Sequence, residues 1–182
     1  MKIMLDPGHG GQDPGAVGPS GLNEADVNLR VTSSMGPLLE QLGAKIWYTR
    51  TSDVYVSISG RCQKANKAEV DYFVSIHCNS NGPSAEGVET LVAKRESKAY
   101  KLAEAVQTKL VAATKDRDRW IKERPDLGVL AGTDMPAIPV EIGFISRPET
   151  EAKFKTEQYI GLIAEAITEG ISSHLGLIEE KR

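Results

Sequence analysis

The sequence is short of cysteine, short of aromatic residues and without a strong charge of either sign. Two cysteines in 182 residues allow at most one disulfide, so no disulfide scaffold holds this fold. Cys62 and Cys78 also lack the short paired spacing of cysteine zinc sites, and buried free thiols are the expected state. A formal net charge of -3 supplies no general field for nucleic acid. No apolar run approaches the roughly 20 residues that span a bilayer, and the start, Met1 to Asp6, is not a signal-peptide core. A globular domain without a membrane span and without nucleic-acid partners is left. At this length it can bury a substantial core, and 40% hydrophobic residues suffice for one.

The apolar pattern alternates between strand and helix. Lys2 to Leu5 reads as a strand that Asp6-Pro7-Gly8-His9-Gly10-Gly11 breaks with three glycines and a proline. Val27, Val31, Met35, Leu38 and Leu42 mark an amphipathic helix, with Asn23 as N-cap and Gly43 as stop. Ala44 to Tyr48 predicts a strand, Thr49 to Asp53 a polar turn, Ser57 to Lys67 a helix and Tyr72 to Ile76 a strand. Gly87 to Val92 predicts a strand and Ser97 to Ala113 a long helix. Leu127 to Leu130 and Ile138 to Ile142 are short strand candidates, and Ser146 to Glu149 offers a capping box for a short helix. Ile160, Ile163, Ala164, Ile167, Ile171 and Leu175 form the last helical stripe, stopped by Gly176. The expectation is an α/β sandwich: a twisted, mostly parallel central sheet of about six strands, flanked by helices. Residues 1–176 make the domain, and 177–182 a polar tail or linker stub. Pro139, lacking a backbone donor, suggests that its strand lies at an edge.

Three positions carry unexplained chemistry. His9 follows the first strand among glycines, where there is no core to fill. His77 follows the strand ending at Ile76, and Glu141 sits between Val140 and Ile142, where an unpaired carboxylate is expensive to bury. In parallel sheets strand ends share one edge, so these residues can converge. Glu24 favours the start of its helix through the helix dipole, which also keeps it ionised for a metal. Two imidazoles and a carboxylate on zinc leave a fourth position for water, and a second carboxylate can take that water's proton. Cys78 adjoins His77, but its side chain points to the opposite face of an extended segment.

Asp6 to Gly11, Asn23-Glu24, Phe73 to Ser80 and Met135 to Phe144 together resemble the four signature segments of the family 3 N-acetylmuramoyl-L-alanine amidases. Arg61 with Ala65-Asn66, Gly87-Val88-Glu89 and Asp118-Arg119 resemble weaker family blocks, and the likeness covers residues 2 to 175. It implies one zinc ion held by His9, Glu24 and His77, with Glu141 as the catalytic carboxylate. The implied reaction is hydrolysis of the amide between N-acetylmuramic acid and L-alanine in peptidoglycan, by a monomer acting outside the cytoplasm. Asn79, on the His77 face if the strand continues, is a substrate-contact candidate; a loop-capping role competes with it. Arg61 reads as a solvated or structural helix residue and Glu89 as a partner for a nearby base, and neither is placed in the site. Cys78, Trp120 and Ala131 depart from the family pattern, Trp120 standing where glycine often follows the Asp-Arg pair. Only about one helix separates Gly87 to Glu89 from Asp118, so the blocking helix of some family members is expected to be missing. The competing enzyme is a zinc exopeptidase or carboxypeptidase, whose usual histidine and glutamate three apart are not met after His9, where Gln12 stands.

Overall fold

The computed structural model describes residues 1–177; most of the predicted polar tail lies outside them. Twelve elements follow in order: β1 (Lys2–Pro7), α1 (Glu24–Gln41), β2 (Lys45–Tyr48), α2 (Ile58–Ala68), β3 (Tyr72–Asn79), β4 (Val88–Val92), α3 (Lys98–Thr114), β5 (Asp118–Glu123), α4 (Gly128–Gly132), β6 (Ala137–Phe144), α5 (Pro148–Phe154) and α6 (Glu157–Leu175). The strands form one sheet in the order β2-β1-β3-β6-β4-β5. Its pairs are parallel except β4 with β6.

Alternation along the strands decides the layers. Ile3 and Leu5, Val74 and Ile76, and Ile138, Val140 and Ile142 face one core with α1, α3 and α6. Met4, Phe73, Leu91 and Ala137 face a smaller core completed by Cys62 and Ala65 of α2 and Val129 and Leu130 of α4. Because the second layer is smaller, part of that sheet face remains for a site. Met4, Phe73 and Ala137 lie on the same face as Asp6, His77 and Glu141, two or four residues further along their strands. Leu177, assigned to the tail from the sequence, packs against the larger core. Among the described residues no helix is long and apolar enough to cross a membrane.

Three local expectations fail. Leu127 to Leu130 is not a strand: Gly128–Gly132 forms α4, and the strand of this region is Asp118–Glu123. A four-residue apolar run fits either element, whereas the real edge strand is masked by charges, with Ile121 its main apolar contact. Pro139 is not on an edge, since β6 lies between β3 and β4. Its missing donor is tolerated because the β4 ladder pairs only Val140 and Glu141, so Pro139 lies past its end. The capping box does not form either. Arg147 is the N-cap of α5 without a side-chain cap, and Ser146 Oγ instead accepts from Asn81 N at 3.0 Å.

Candidate metal centre and catalytic cleft

β1 ends in a loop that is held from three sides. Asp6, fully buried, accepts from Thr49 Oγ1 at 2.5 Å, Arg61 Nη1 at 2.6 Å and Ser75 Oγ at 2.6 Å. Arg61 also donates to the carbonyls of Pro7 at 2.6 Å and His9 at 2.7 Å. Arg50 donates to the carbonyls of Pro7 at 3.0 Å and Gly8 at 2.9 Å. Three successive carbonyls are thus fixed by two buried guanidiniums. This clamp lets His9 stay at φ 59, a left-handed conformation that a non-glycine residue adopts only when its surroundings impose it.

The His9 ring is oriented in turn. Nδ1 donates to Asp13 Oδ2 at 2.8 Å, which leaves Nε2 facing Glu24 Oε1 at 3.2 Å. His77 reaches the same oxygen, with Nδ1 at 2.9 Å. Its strand is longer than the pattern suggested, so His77 lies within β3 rather than after it. Glu24, 3% exposed at the first turn of α1, is held by Ala16 N on Oε2 at 2.9 Å and Cys78 N on Oε1 at 3.0 Å. One ligand atom from each of His9, Glu24 and His77 lies within 4.8 Å of the others. Cys78 faces away: its thiol is buried in the larger core, 3.6 Å from Asn28 Oδ1. Neither cysteine is in a disulfide.

The electrostatics favour a cation between these donors. The hydrogen bond to Glu24, against burial and with help from Asp13, pushes the His9 pKa up to about 9. Burial works to lower His77, but its bond to Glu24 and the charge of Glu141 raise it overall. Burial likewise works to raise Glu24, yet both imidazoles hold it well below the usual carboxylate range. A set that pulls protons onto imidazoles offers its charge equally to a metal ion, and two nitrogens with one carboxylate oxygen match the donor chemistry of hydrolytic zinc sites.

Glu141 pairs in register with His77 on β3 and with Glu89 on β4, so it stands beside the triad on the same sheet face. Its Oε2 is buried without a hydrogen-bond partner. Burial, opposed by His77 and reinforced by Glu24 and Glu89, pushes its pKa up to about 7. A carboxyl poised near neutrality with a free oxygen is suited to exchange a proton with water. The cleft is a cavity of about 260 Å³ lined by His9, His77, Glu141, Tyr55, Ile58 and Leu127. Tyr55 and Ile58 are exposed at its rim, 50% and 57%, the pattern of a surface meant to be covered by a ligand.

Sequence reasoning missed three kinds of residue here. Arg50 and Asp6 carry the clamp, and Arg61, read as a solvated or structural helix residue outside the site, is buried in it. Nothing in their local pattern announces burial. Val54, Tyr55 and Val56 left a trace, being apolar residues in a loop with no periodic partner. Asn79 is engaged at both ends of its amide: Nδ2 donates to Glu89 Oε1 at 3.1 Å and Oδ1 accepts from Ser80 N at 2.8 Å. Glu89 also receives Arg119 Nε at 2.7 Å and Lys122 Nζ at 2.6 Å. Between β4 and β5 the helix α3 packs on α6, and no element from that segment lines the cleft.

Gly8 makes a sharp test of the cleft. A Cβ there would overlap the His77 ring. Gly8→Ala should therefore leave the fold in place while displacing His77, and divalent-metal affinity should fall about tenfold or more, as it does when a ligand's support is disturbed. Competition with a chelator measures it; unchanged affinity would mean that His77 does not need its present position.

A family model described as N-acetylmuramoyl-L-alanine amidase matches residues 3–173. The chain is 37% identical over 175 residues to N-acetylmuramoyl-L-alanine amidase LytC of Bacillus subtilis, a match covering 94% of this chain but 35% of LytC. It is 34% identical to the sporulation-specific N-acetylmuramoyl-L-alanine amidase of the same organism, covering 97% of this chain and 69% of that protein. The crystal structure of an N-acetylmuramoyl-L-alanine amidase from Clostridium difficile 630 superposes with a TM-score of 0.91 at 37% identity, covering 96% of both chains.

Proposed function

From the premise that the chain belongs to the N-acetylmuramoyl-L-alanine amidase family, we propose that it hydrolyses the amide between the lactyl group of N-acetylmuramic acid and L-alanine in peptidoglycan. One zinc ion would be held by His9, Glu24 and His77. The observation that carries the reading is the convergence of those three donors beside a carboxylate oxygen with no partner, Glu141 Oε2. The chemistry that such an ion supplies is Lewis acidity, which polarises a carbonyl oxygen and makes water acidic near neutral pH.

The chain's own residues divide the remaining work. Asp13 accepts the Nδ1 proton of His9 and so keeps the Nε2 lone pair turned inward. Glu141 takes a proton from the attacking water and returns it to the departing L-alanine nitrogen, which a group poised near neutrality can do in both directions. Tyr55, Ile58 and Leu127 line the cleft and offer apolar surface to the substrate around the scissile amide. In this reading residues 1–176 are the catalytic domain, which acts as a monomer at the bacterial cell wall, outside the cytoplasm.

Purified sacculi test the bond that is cut. Digestion by the zinc-loaded chain alone, with no activator protein added, should release peptides with free L-alanine amino termini and create no new sugar reducing ends. Dinitrophenylation of the products reads the termini. New reducing ends, or free termini only at diaminopimelate or D-alanine, would overturn the bond assignment, and inertness until a partner is added would overturn the open cleft.

A further inference from the structure

Arg119 and Lys122 stand three residues apart on β5, a spacing that an unbroken strand would put on opposite faces. Both nevertheless reach one carboxylate oxygen, Arg119 Nε at 2.7 Å and Lys122 Nζ at 2.6 Å from Glu89 Oε2. The cause is a bulge: Val88 pairs with Asp118 and Thr90 with Ile121, so Arg119 and Trp120 together oppose Glu89. Trp120 takes the strained position, at φ 67 in the left-handed region, and its side chain is turned out to solvent. Asp118 Oδ1 secures the bend by accepting from Trp120 N at 2.8 Å. Backbone strain persists where the surroundings impose it, and its effect here is to gather two cations on one face.

That face is the catalytic one. Glu89 pairs in register with Glu141, and Leu91, which pairs with Lys122, belongs to the smaller core beneath α2 and α4. Those helices pack toward the other end of the strands, on Leu91 and Ala137, and the two cations stay 29% and 43% exposed. One buried carboxylate faces two cations, since the remaining partner of Glu89 is the neutral amide of Asn79. Donors are also left over. Among the described residues Lys122 Nζ has no acceptor besides Glu89, and Arg119 Nη2 has none. With strands about 4.8 Å apart, this positive excess on β5 begins roughly 10 Å from Glu141 across β4.

We propose that Arg119 and Lys122 determine specificity on the peptide side of the scissile amide, by binding the free α-carboxylate of the second stem-peptide residue. The inference rests on the amidase reading, which fixes the charges on either side of the bond. On the glycan side the lactyl carboxyl is consumed in the amide and the sugars are neutral. On the peptide side a D-glutamate joined through its γ-carboxyl keeps its α-carboxyl free or amidated, so a cationic patch selects that side. The reach agrees. A peptide advances about 3.3–3.6 Å per residue, which brings the second residue roughly 7 Å from the amide, and the long side chains of Arg119 and Lys122 span the rest.

The test uses the zinc-loaded full chain carrying Glu141→Gln, so that ligand is not consumed. Two ligands, N-acetylmuramoyl-L-alanyl-γ-D-glutamyl-L-lysine and its D-isoglutamine counterpart, differ only in that α-carboxylate, which the second carries as an amide. Titration calorimetry should give the acid a roughly three- to tenfold higher affinity, between the scale of an exposed ion pair and that of a hydrogen bond to a charged group. Added salt should narrow the gap. Lys122→Gln, which can still donate to Glu89, should weaken binding of the acid alone, and Lys122→Arg should restore the preference. Equal affinity for the two tripeptides, a preference that survives in the Arg119→Gln/Lys122→Gln double variant, or a Lys122→Gln chain that loses both ligands alike would each overturn the proposal. The amidase reading is judged separately, on the L-alanine termini released by the unsubstituted chain.

Discussion

A Glu141→Gln chain should fold normally, carry nearly one zinc ion and lose at least about a hundredfold in turnover, the scale on which a positioned general base acts. Glutamine keeps the shape of the side chain in β6, so the register with His77 and Glu89 survives and no cavity explains the defect. What disappears is the oxygen with no partner that can accept a proton. Metal content, a circular dichroism spectrum and steady-state rates on soluble muropeptides measure the three parts. Loss of zinc would recast Glu141 as a ligand, and near-normal turnover would remove it from the mechanism. The metal-stripped chain adds a stability signature. A carboxyl whose pKa is raised by folding, here to about 7, contributes stability that is full below the ordinary glutamate value and lost as pH rises through 7. Glutamine never ionises, so at pH 8 the metal-stripped variant should melt above its parent, and the gap should close by pH 5.

His9→Ala should instead be purified largely metal-free and regain partial activity only with excess zinc. Its zinc affinity should fall further than the roughly 10–100-fold that follows loss of a supporting group around a metal, because a ligand itself is removed. The imidazole is braced by Asp13 and faces Glu24 at 3.2 Å, so its removal leaves Glu24 with His77 as the remaining nitrogen donor. The fold should persist, since the loop is held by Arg50 and Arg61 through backbone carbonyls that alanine retains. Elemental analysis beside a chelator titration decides it. Full zinc occupancy in His9→Ala would place the ion elsewhere. The pair of variants separates metal holding from proton transfer: one loses the ion, the other keeps it and loses the rate.

Helices with a clean stripe were legible in the sequence. The predicted spans for α1, α3 and α6 lie within a few residues of Glu24–Gln41, Lys98–Thr114 and Glu157–Leu175, because each buries a continuous face against the sheet. Edges were not. β5 reads Asp-Arg-Trp-Ile-Lys-Glu and buries little, so its pairing with β4 leaves almost no mark on the pattern. The cap of α5 was misread because Ser146 has a distant partner in Asn81, and a local motif cannot see a competitor 65 residues away.

The same division holds in the site. His9, Glu24, His77 and Glu141 could be named from the chain because each is chemically out of place locally: a histidine among glycines, a carboxylate in an apolar strand, or a match to a family segment. The sequence alone also determined the α/β class, since alternating periods of two and near four permit few other layerings. Only the tertiary structure decided what holds those residues in place. Arg50, Arg61 and Asp6 look like ordinary surface residues until distant segments bury them, and their role exists only once β1, β2, β3 and α2 are packed together. It also decided the protonation environment, because the pKa of Glu141 depends first on its burial and then on His77, Glu24 and Glu89, which come from three other elements. Periodicity reports which face of an element is buried. Burial of charge, and the hydrogen bonds that make it tolerable, depends on partners tens of residues away, and only the folded chain brings them within reach.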